Sequence, residues 1–370
     1  MDSDAGPDSY KDSKKYLWLL SPLYIALPIL GIYLAEQTGW SLFYWLPLIM
    51  FHFFFPIIDH LVGVDRDNPP EIYAQRHQND IYYKMLPLIA VPIHMVTMLL
   101  IMVYWDQTKP DGFISLALAL SVGWANGLAI NTGHELGHKK SSLERWFAKI
   151  ALSLSGYGHF YVEHNKGHHY HVATPEDCAS ARYNESLYAF IMREWFGGVA
   201  RCWQLEASRL KKRGLPVFSL KNEMVQTTLM TGLFYGMLIA FFGLKAIPFL
   251  LIQMMYAWFL LSLANYTEHY GLLRQKKANG KYENCQPHHS WNSNYLMSNL
   301  VLFHLQRHSD HHSNPARRYQ ILRDFQDVPT LPSGYPLVFT MAIIPPLFKR
   351  VMNPRVLKWV DGDMSKVNQG

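Results

Sequence analysis

Four of the eight residues from His164 to His171 are histidine. Imidazole is the commonest nitrogen ligand for transition metals, and it titrates near neutral pH. Crowded protonated rings repel one another and crowded neutral rings pack poorly; a bound metal resolves both problems. Three further groups complete the pattern: His134 with His138, then His269, then His308, His311 and His312. His134 and His138 stand four residues apart, so on one helix both imidazoles face the same side. The same spacing predicts that His164 and His168 share a face, with His169 about 100° further round the helix. His308, His311 and His312 are read as one helix face by the same rule. Nine histidines thus stand in ligand-like spacing. One tetrahedral zinc takes at most four protein ligands, so nine nitrogens predict two metal ions. Thiol-free imidazole sets suit iron, copper, zinc or nickel.

Two rival readings are weaker. His134-Glu135-Leu136-Gly137-His138 matches His-Glu-x-x-His, the zinc-binding string of metalloproteases. A protease needs one further ligand and leaves the later clusters unexplained. A metal transporter wants its ligands at the bilayer midplane, whereas these histidines gather at one edge of the apolar segments. Redox metals at the mouth of an apolar helix bundle predict oxygen chemistry on a water-insoluble substrate.

The elements that must hold these histidines are membrane helices. The chain has 370 residues, of which 49% are hydrophobic and 17% charged, a balance that leans toward a membrane protein. Its mean hydropathy of -0.04 reflects two long polar stretches and 18 histidines. Six apolar runs are each about long enough for a ~30 Å hydrocarbon core at ~1.5 Å per residue. They are Tyr16 to Ala35, Ser41 to Val62, Met85 to Trp105, Phe113 to Asn131, Met224 to Phe242 and Ala246 to Asn265. Tyr335 to Phe348 is short and contains Pro345-Pro346, so it reads as a re-entrant or surface piece. Trp146 to Val162 reads as a buried or interfacial helix.

Six spans put both termini on one side. Of 34 Lys and Arg, 32 fall on that side, and only Lys109 and Lys245 lie opposite. The positive-inside rule makes the crowded side cytoplasmic. The expected organisation is a cytoplasmic tail (1–15), spans one to four (16–131), a cytoplasmic histidine-rich segment (132–223), spans five and six (224–265) and a second cytoplasmic histidine-rich segment (266–370). The fold class is therefore an all-α integral membrane protein. Six transmembrane helices carry a histidine-rich cytoplasmic cap with a di-metal site. The net charge of +6 concentrates on the cap, which suits anionic lipid and an acidic soluble partner. Nothing points to nucleic acid. Cys178, Cys202 and Cys285 are far apart with no Cys-x-x-Cys, so these 370 residues supply no rubredoxin, zinc ribbon or iron–sulfur site.

The motifs resemble those of the membrane-bound, rubredoxin-dependent alkane monooxygenases of bacteria, within the histidine-rich di-iron hydroxylase and desaturase superfamily. The strings are Asn131 to Lys140, Tyr157 to His169, Asn265 to Leu272 and Leu302 to His312. The similarity runs over nearly the whole chain. The string Asn265-Tyr266-Thr267-Glu268-His269-Tyr270-Gly271 sets this family apart from fatty acyl desaturases. The resemblance implies a non-haem di-iron site ligated by His134, His138, His164, His168, His169, His269, His308, His311 and His312, with no haem or flavin. It implies terminal hydroxylation of n-alkanes by O2, giving 1-alcohols, in the bacterial inner membrane. It further implies electrons from rubredoxin, itself reduced by an NAD(P)H-dependent reductase.

Finer expectations follow. The carboxylates Glu135, Glu163, Glu268 and Asp310 adjoin the ligands, and each is expected to accept a distal imidazole N–H or to bind metal itself. An alkane entering from lipid offers only apolar area, about 0.8 kcal/mol per methylene. Phe51, Phe54 and Phe55 in the second span and Trp124 and Leu128 in the fourth are the expected channel walls. Arg307, Arg317 and Arg318 are the expected rubredoxin-docking cations.

Overall fold

The apolar runs become helices in the computed structural model, which describes residues 10–370. Residues 1–9 of the expected tail lie outside the described residues. The first run is not one straight span. Leu17–Tyr24 and Leu27–Thr38 (α1) meet at 67°, because Pro28 beside the break has no N–H to continue the hydrogen-bond ladder. The other five runs each form a helix long and apolar enough to cross a membrane. They are Ser41–Val62 (α2), Ile81–Thr108 (α3), Gly112–Gly137 (α4), Glu223–Phe242 (α7) and Ala246–Glu268 (α8). Between α4 and α7 lie Ser142–Leu154 (α5) and Leu187–Lys212 (α6). After α8 come His308–Ser313 (α9), Tyr335–Ala342 (α10) and Pro345–Trp359 (α11). The run expected to be re-entrant is thus two helices broken before Pro345. Among the described residues there is no strand beyond isolated bridges.

Helix length explains where the histidines sit. The 26 residues of α4 span about 39 Å at ~1.5 Å per residue, against a hydrocarbon core of about 30 Å. The helix starts at Asp111, whose side chain accepts from Ile114 N–H. Its surplus turns carry His134 and Glu135 past the apolar layer. The α4–α8 pair forms the centre of the bundle. At Gly123 the two backbones nearly touch: a Cβ there would lie 2.6 Å from Gln253 O. Small residues permit this approach between membrane helices. Asn126 Nδ2 donates to Gln253 Oε1 at 2.7 Å, and Gln253 Nε2 donates to Tyr235 OH at 2.5 Å, so α4, α8 and α7 are also tied by buried polar contacts.

A Gly123→Val substitution forces these helices apart. Overpacking of this kind costs about 1–3 kcal/mol. A lower thermal midpoint in detergent, with earlier loss of bound metal on heating, is the expected result; an unchanged midpoint contradicts the close approach.

Candidate metal centre

Four separate elements bring nine imidazoles together. The last turns of α4 supply His134 and His138, the segment after α5 supplies His164, His168 and His169, the exit of α8 supplies His269, and α9 supplies His308, His311 and His312. The nitrogens fall into two groups. His134, His138, His164, His169 and His311 offer atoms all within 4.8 Å of one another, and His168, His269, His308 and His312 do the same. Helical i, i+4 spacing gives the wrong pairing for His164. Residues Glu163–His168 form a π-turn, in which bonded groups stand five positions apart. His164 therefore pairs with His169, and His168 swings to the second group. On α9, His308 and His312 stay together while His311 turns to the first group. The helix face that carries these three histidines is shared between the two groups.

The spacing inside each group fits metal ligands. Nitrogens about 2.0–2.1 Å from a common ion stand roughly 2.9–3.4 Å apart at angles from square to tetrahedral. The Nε2–Nε2 separations are 2.9 Å for His134–His311, 3.1 Å for His164–His169 and 3.1 Å for His169–His311. In the second group they are 3.3 Å for His168–His312, 3.2 Å for His269–His308 and 2.9 Å for His308–His312. His138 Nε2 is buried and has no hydrogen-bond partner among the described residues. Burial and the neighbouring rings hold His138, His164, His169, His308, His311 and His312 well below their ordinary pKa. They are neutral at physiological pH, the state a metal needs.

Distal contacts fix the rings. His168 Nδ1 donates to Asp177 Oδ2 at 2.9 Å. Burial pulls His168 down, but the Asp177 carboxylate outweighs it and leaves the ring above its ordinary pKa. Asp177 is held in turn by Arg201 Nη2 at 2.7 Å and Ser180 Oγ at 2.6 Å. His269 Nδ1 donates to the His289 carbonyl at 3.1 Å. Both contacts leave Nε2 free to face a metal, and a carboxylate partner raises ligand basicity.

Three of the four expected carboxylates do other work. Glu135 pairs with Lys139 Nζ at 2.9 Å. Glu163 pairs with Arg201 at 2.9 Å. Asp310 accepts from Arg317 Nη1 at 2.8 Å, Arg323 N at 2.9 Å and Asn314 Nδ2 at 2.8 Å, which braces α9. Among the described residues none of the three is hydrogen-bonded to a histidine. Glu268 does reach one, but from the converging side. Its Oε2 is 3.2 Å from His308 Nε2 and its Oε1 accepts from Tyr335 OH at 2.7 Å, so it stands beside the second metal position. Asp177 was missed because no helical spacing links it to His168; an isolated acid nine residues on carries no local signal.

An apolar cavity opens directly on the two groups, and its lining includes His134, His164, His308 and Glu268. Phe51, Trp124 and Leu128 are walls, and Leu260, Tyr335 and Phe339 are walls that periodicity alone did not single out. Phe54 and Phe55 do not line it. A π-turn over Met50–Phe54 shifts the helix phase, so Phe54 is 49% exposed on the membrane face and Phe55 packs on Tyr24 at 4.8 Å between ring centroids.

The expected docking arginines are internal. Arg307 is 1% exposed and donates to the carbonyls of Leu322 at 2.7 Å, Asp65 at 2.9 Å and Asp67 at 3.0 Å. Arg318 is 6% exposed and pairs with Glu144 at 2.8 Å. Arg317 is largely covered and is committed to Asp310. A buried polar segment needs donors for its carbonyls, and Arg307 supplies them, while Arg317 and Arg318 pair with buried carboxylates.

The sequence is similar to those of known proteins. The fatty acid desaturase family pattern matches residues 112–341, which include all nine histidines. Alkane 1-monooxygenase 1 of Alcanivorax borkumensis is 53% identical over 99% of this chain and 90% of its own length. The alkane 1-monooxygenases of Ectopseudomonas oleovorans and Pseudomonas putida are 52% and 51% identical, each over 98% of this chain and 90% of its own length.

Proposed function

The chain belongs to the alkane 1-monooxygenase family, and on that premise we propose that its two histidine groups hold two non-haem iron ions that hydroxylate the terminal carbon of n-alkanes. It is an integral membrane oxidoreductase whose activity is that of an alkane 1-monooxygenase. The observation that carries the proposal is the division of nine imidazoles into two convergent groups beside an apolar cavity. Zinc cannot change oxidation state, and imidazole-rich sites suit iron. When bound, iron supplies the redox chemistry that activates O2 with two electrons.

The chain's residues do the rest. Leu260, Phe339 and Trp124 hold the alkane by apolar burial, and the lack of polar groups along it leaves shape as the only guide. The part of the cavity beside the two groups receives the terminal methyl. Walls of Phe, Leu and Trp exclude water, which protects the oxidant from side reactions. Asp177 and the His289 carbonyl hold His168 and His269 in the tautomer that ligates. Glu268, steadied by Tyr335, sits where it can ligate or accept a proton beside the second metal. Asp177→Asn leaves His168 without its charged partner. Loss of such a contact typically lowers metal affinity or activity about 10–100-fold. A chelator titration of the purified variant reads this directly, and wild-type retention of metal contradicts the role of Asp177.

Electrons must enter from outside, because these residues carry no haem, flavin or iron–sulfur motif. We assign the donor as rubredoxin with an NAD(P)H-dependent reductase, docking on the cytoplasmic face that holds 32 of the 34 Lys and Arg. One set of exposed cations is linked to a metal group through a hairpin. Lys276 bridges to Tyr282, and Lys276, Lys277 and Lys281 are exposed. The hairpin ends at Glu283, whose Oε1 is 3.2 Å from His289 Nε2, and the His289 carbonyl holds His269. Reversing Lys276, Lys277 and Lys281 to Glu is expected to raise the KM for rubredoxin several-fold, with weaker salt dependence and unchanged metal content. An unaltered rubredoxin KM rules this surface out.

A further inference from the structure

Hydroxylation by O2 consumes protons as well as electrons. One oxygen atom enters the C–H bond to give the alcohol, and the other leaves as water with two protons and two electrons from the reduced carrier. The Leu, Phe and Trp walls of the apolar cavity carry no protons, so supply must come through its few polar lining groups, Asn265 among them. A second, smaller void adjoins it, with room for about one water, lined by Tyr157, His159, Glu163, Cys178 and Glu194. The two cavities share Asn265 and Phe160, which form the partition. His159 and Cys178 are the partly exposed members of its lining, so the route from the protein surface runs past them.

Glu194, on α6, is the group at that partition. It is 3% exposed. Its Oε1 accepts from Asn265 Nδ2 at 2.5 Å, while Oε2 has no hydrogen-bond partner among the described residues. A buried carboxylate oxygen without a partner is expensive, and a carboxyl that needs only to tie α6 to α8 needs only one oxygen. We propose that Glu194 is a proton-relay residue that passes protons from the small cavity, past Asn265, into the substrate cavity. The proposal rests on the monooxygenase reading, since only O2 reduction gives those protons a use.

Burial pushes the Glu194 carboxyl up to about 7, near the operating pH, where a relay gains and loses its proton most easily. The groups that face it are Tyr157, His159, Glu163, Asp177 and Cys178, with Ser262, Asn265 and Glu268 from α8; burial pushes Glu268 up to about 7 as well, so the Glu194→Gln pH profile is what tells the two carboxyls apart. Glu163 and Asp177 are both paired with Arg201. With an elevated pKa, Glu194 is protonated below neutrality and loses its proton as pH rises through about 7. Turnover should fall over that same limb.

Glu194→Gln keeps an oxygen for Asn265 and removes the proton. Loss of general acid catalysis is worth roughly 100-fold or more, so kcat for octane should fall about that far. Alkane KM and metal content should stay at wild-type values, the neutral pH limb should vanish, and O2 should be consumed without matching alcohol. Glu194→Asp should restore part of the rate. Wild-type turnover and pH profile in Glu194→Gln, at full metal content, overturn the relay. So does a fall in rate that tracks metal loss while the pH profile stays unchanged. The wild-type chain assayed in parallel separates the two readings: no octanol from it overturns the monooxygenase reading, whereas equal octanol from both overturns the relay alone.

Discussion

His312→Ala empties the second metal position and abolishes alkane hydroxylation, while leaving the first metal in place. His312 Nε2 stands 2.9 Å from His308 Nε2 and 3.3 Å from His168 Nε2, at the centre of the four-histidine group. Three imidazoles then remain, one short of a closed tetrahedral set. The effect should exceed the roughly 10–100-fold typical of an outer contact such as that of Asp177, because a direct ligand is lost. His169→Ala makes the informative contrast. The first group has five members, so four nitrogens survive and metal should be retained better than in His312→Ala. Elemental analysis of both variants, with octane assays, checks the pair. Equal metal loss from both contradicts the five-and-four division. Global unfolding is separated by the helical circular dichroism signal, which both variants should keep.

Trp124→Leu should lengthen the alkanes accepted. Trp124 is ten residues before His134 on α4, about 15 Å along the axis at ~1.5 Å per residue. It is 1% exposed and lines the cavity away from the metals. Its indole packs edge-on against Tyr24 at 4.7 Å between centroids. Trimming it opens space at the far end without touching the ligands. Each additional buried methylene is worth about 0.8 kcal/mol, close to four-fold in binding, so a few carbons shift preference by one to two orders of magnitude. Leucine is the better choice than alanine, because Trp→Ala in a core costs about 3–5 kcal/mol. Competition between octane, dodecane and hexadecane, read as 1-alcohols by gas chromatography, gives the answer. An unchanged product distribution places the far wall elsewhere.

The nine histidines and the membrane helices were legible because composition and spacing carry them. His134 and His138 behave as their i, i+4 spacing requires, since α4 continues unbroken past the apolar layer. The same rule mispaired His164 with His168. A π-turn over Glu163–His168 changes the period locally, and no residue type announces it; Gly167 inside the turn is the only hint. Phe54 failed for the same reason, with a π-turn in α2. The six spans were read correctly apart from the first, where Pro28 breaks the helix and the bend follows from chemistry visible in the sequence. The arginines show a different limit. Arg307 and Arg318 carry the same charge as a docking residue, yet the irregular segments around α9 need donors for their carbonyls and carboxylates. Burial of that kind depends on tertiary packing. Asp177 and Glu194 belong to the same class, since each becomes functional only through a neighbour distant in sequence.

The central claim is two irons in two histidine groups, and metal content per chain on detergent-purified protein tests it most directly. The account predicts about two irons per chain, with octanol formed when octane, reduced rubredoxin and O2 are supplied. One zinc and no iron contradicts it, and returns attention to His134, Glu135 and His138 as a protease string.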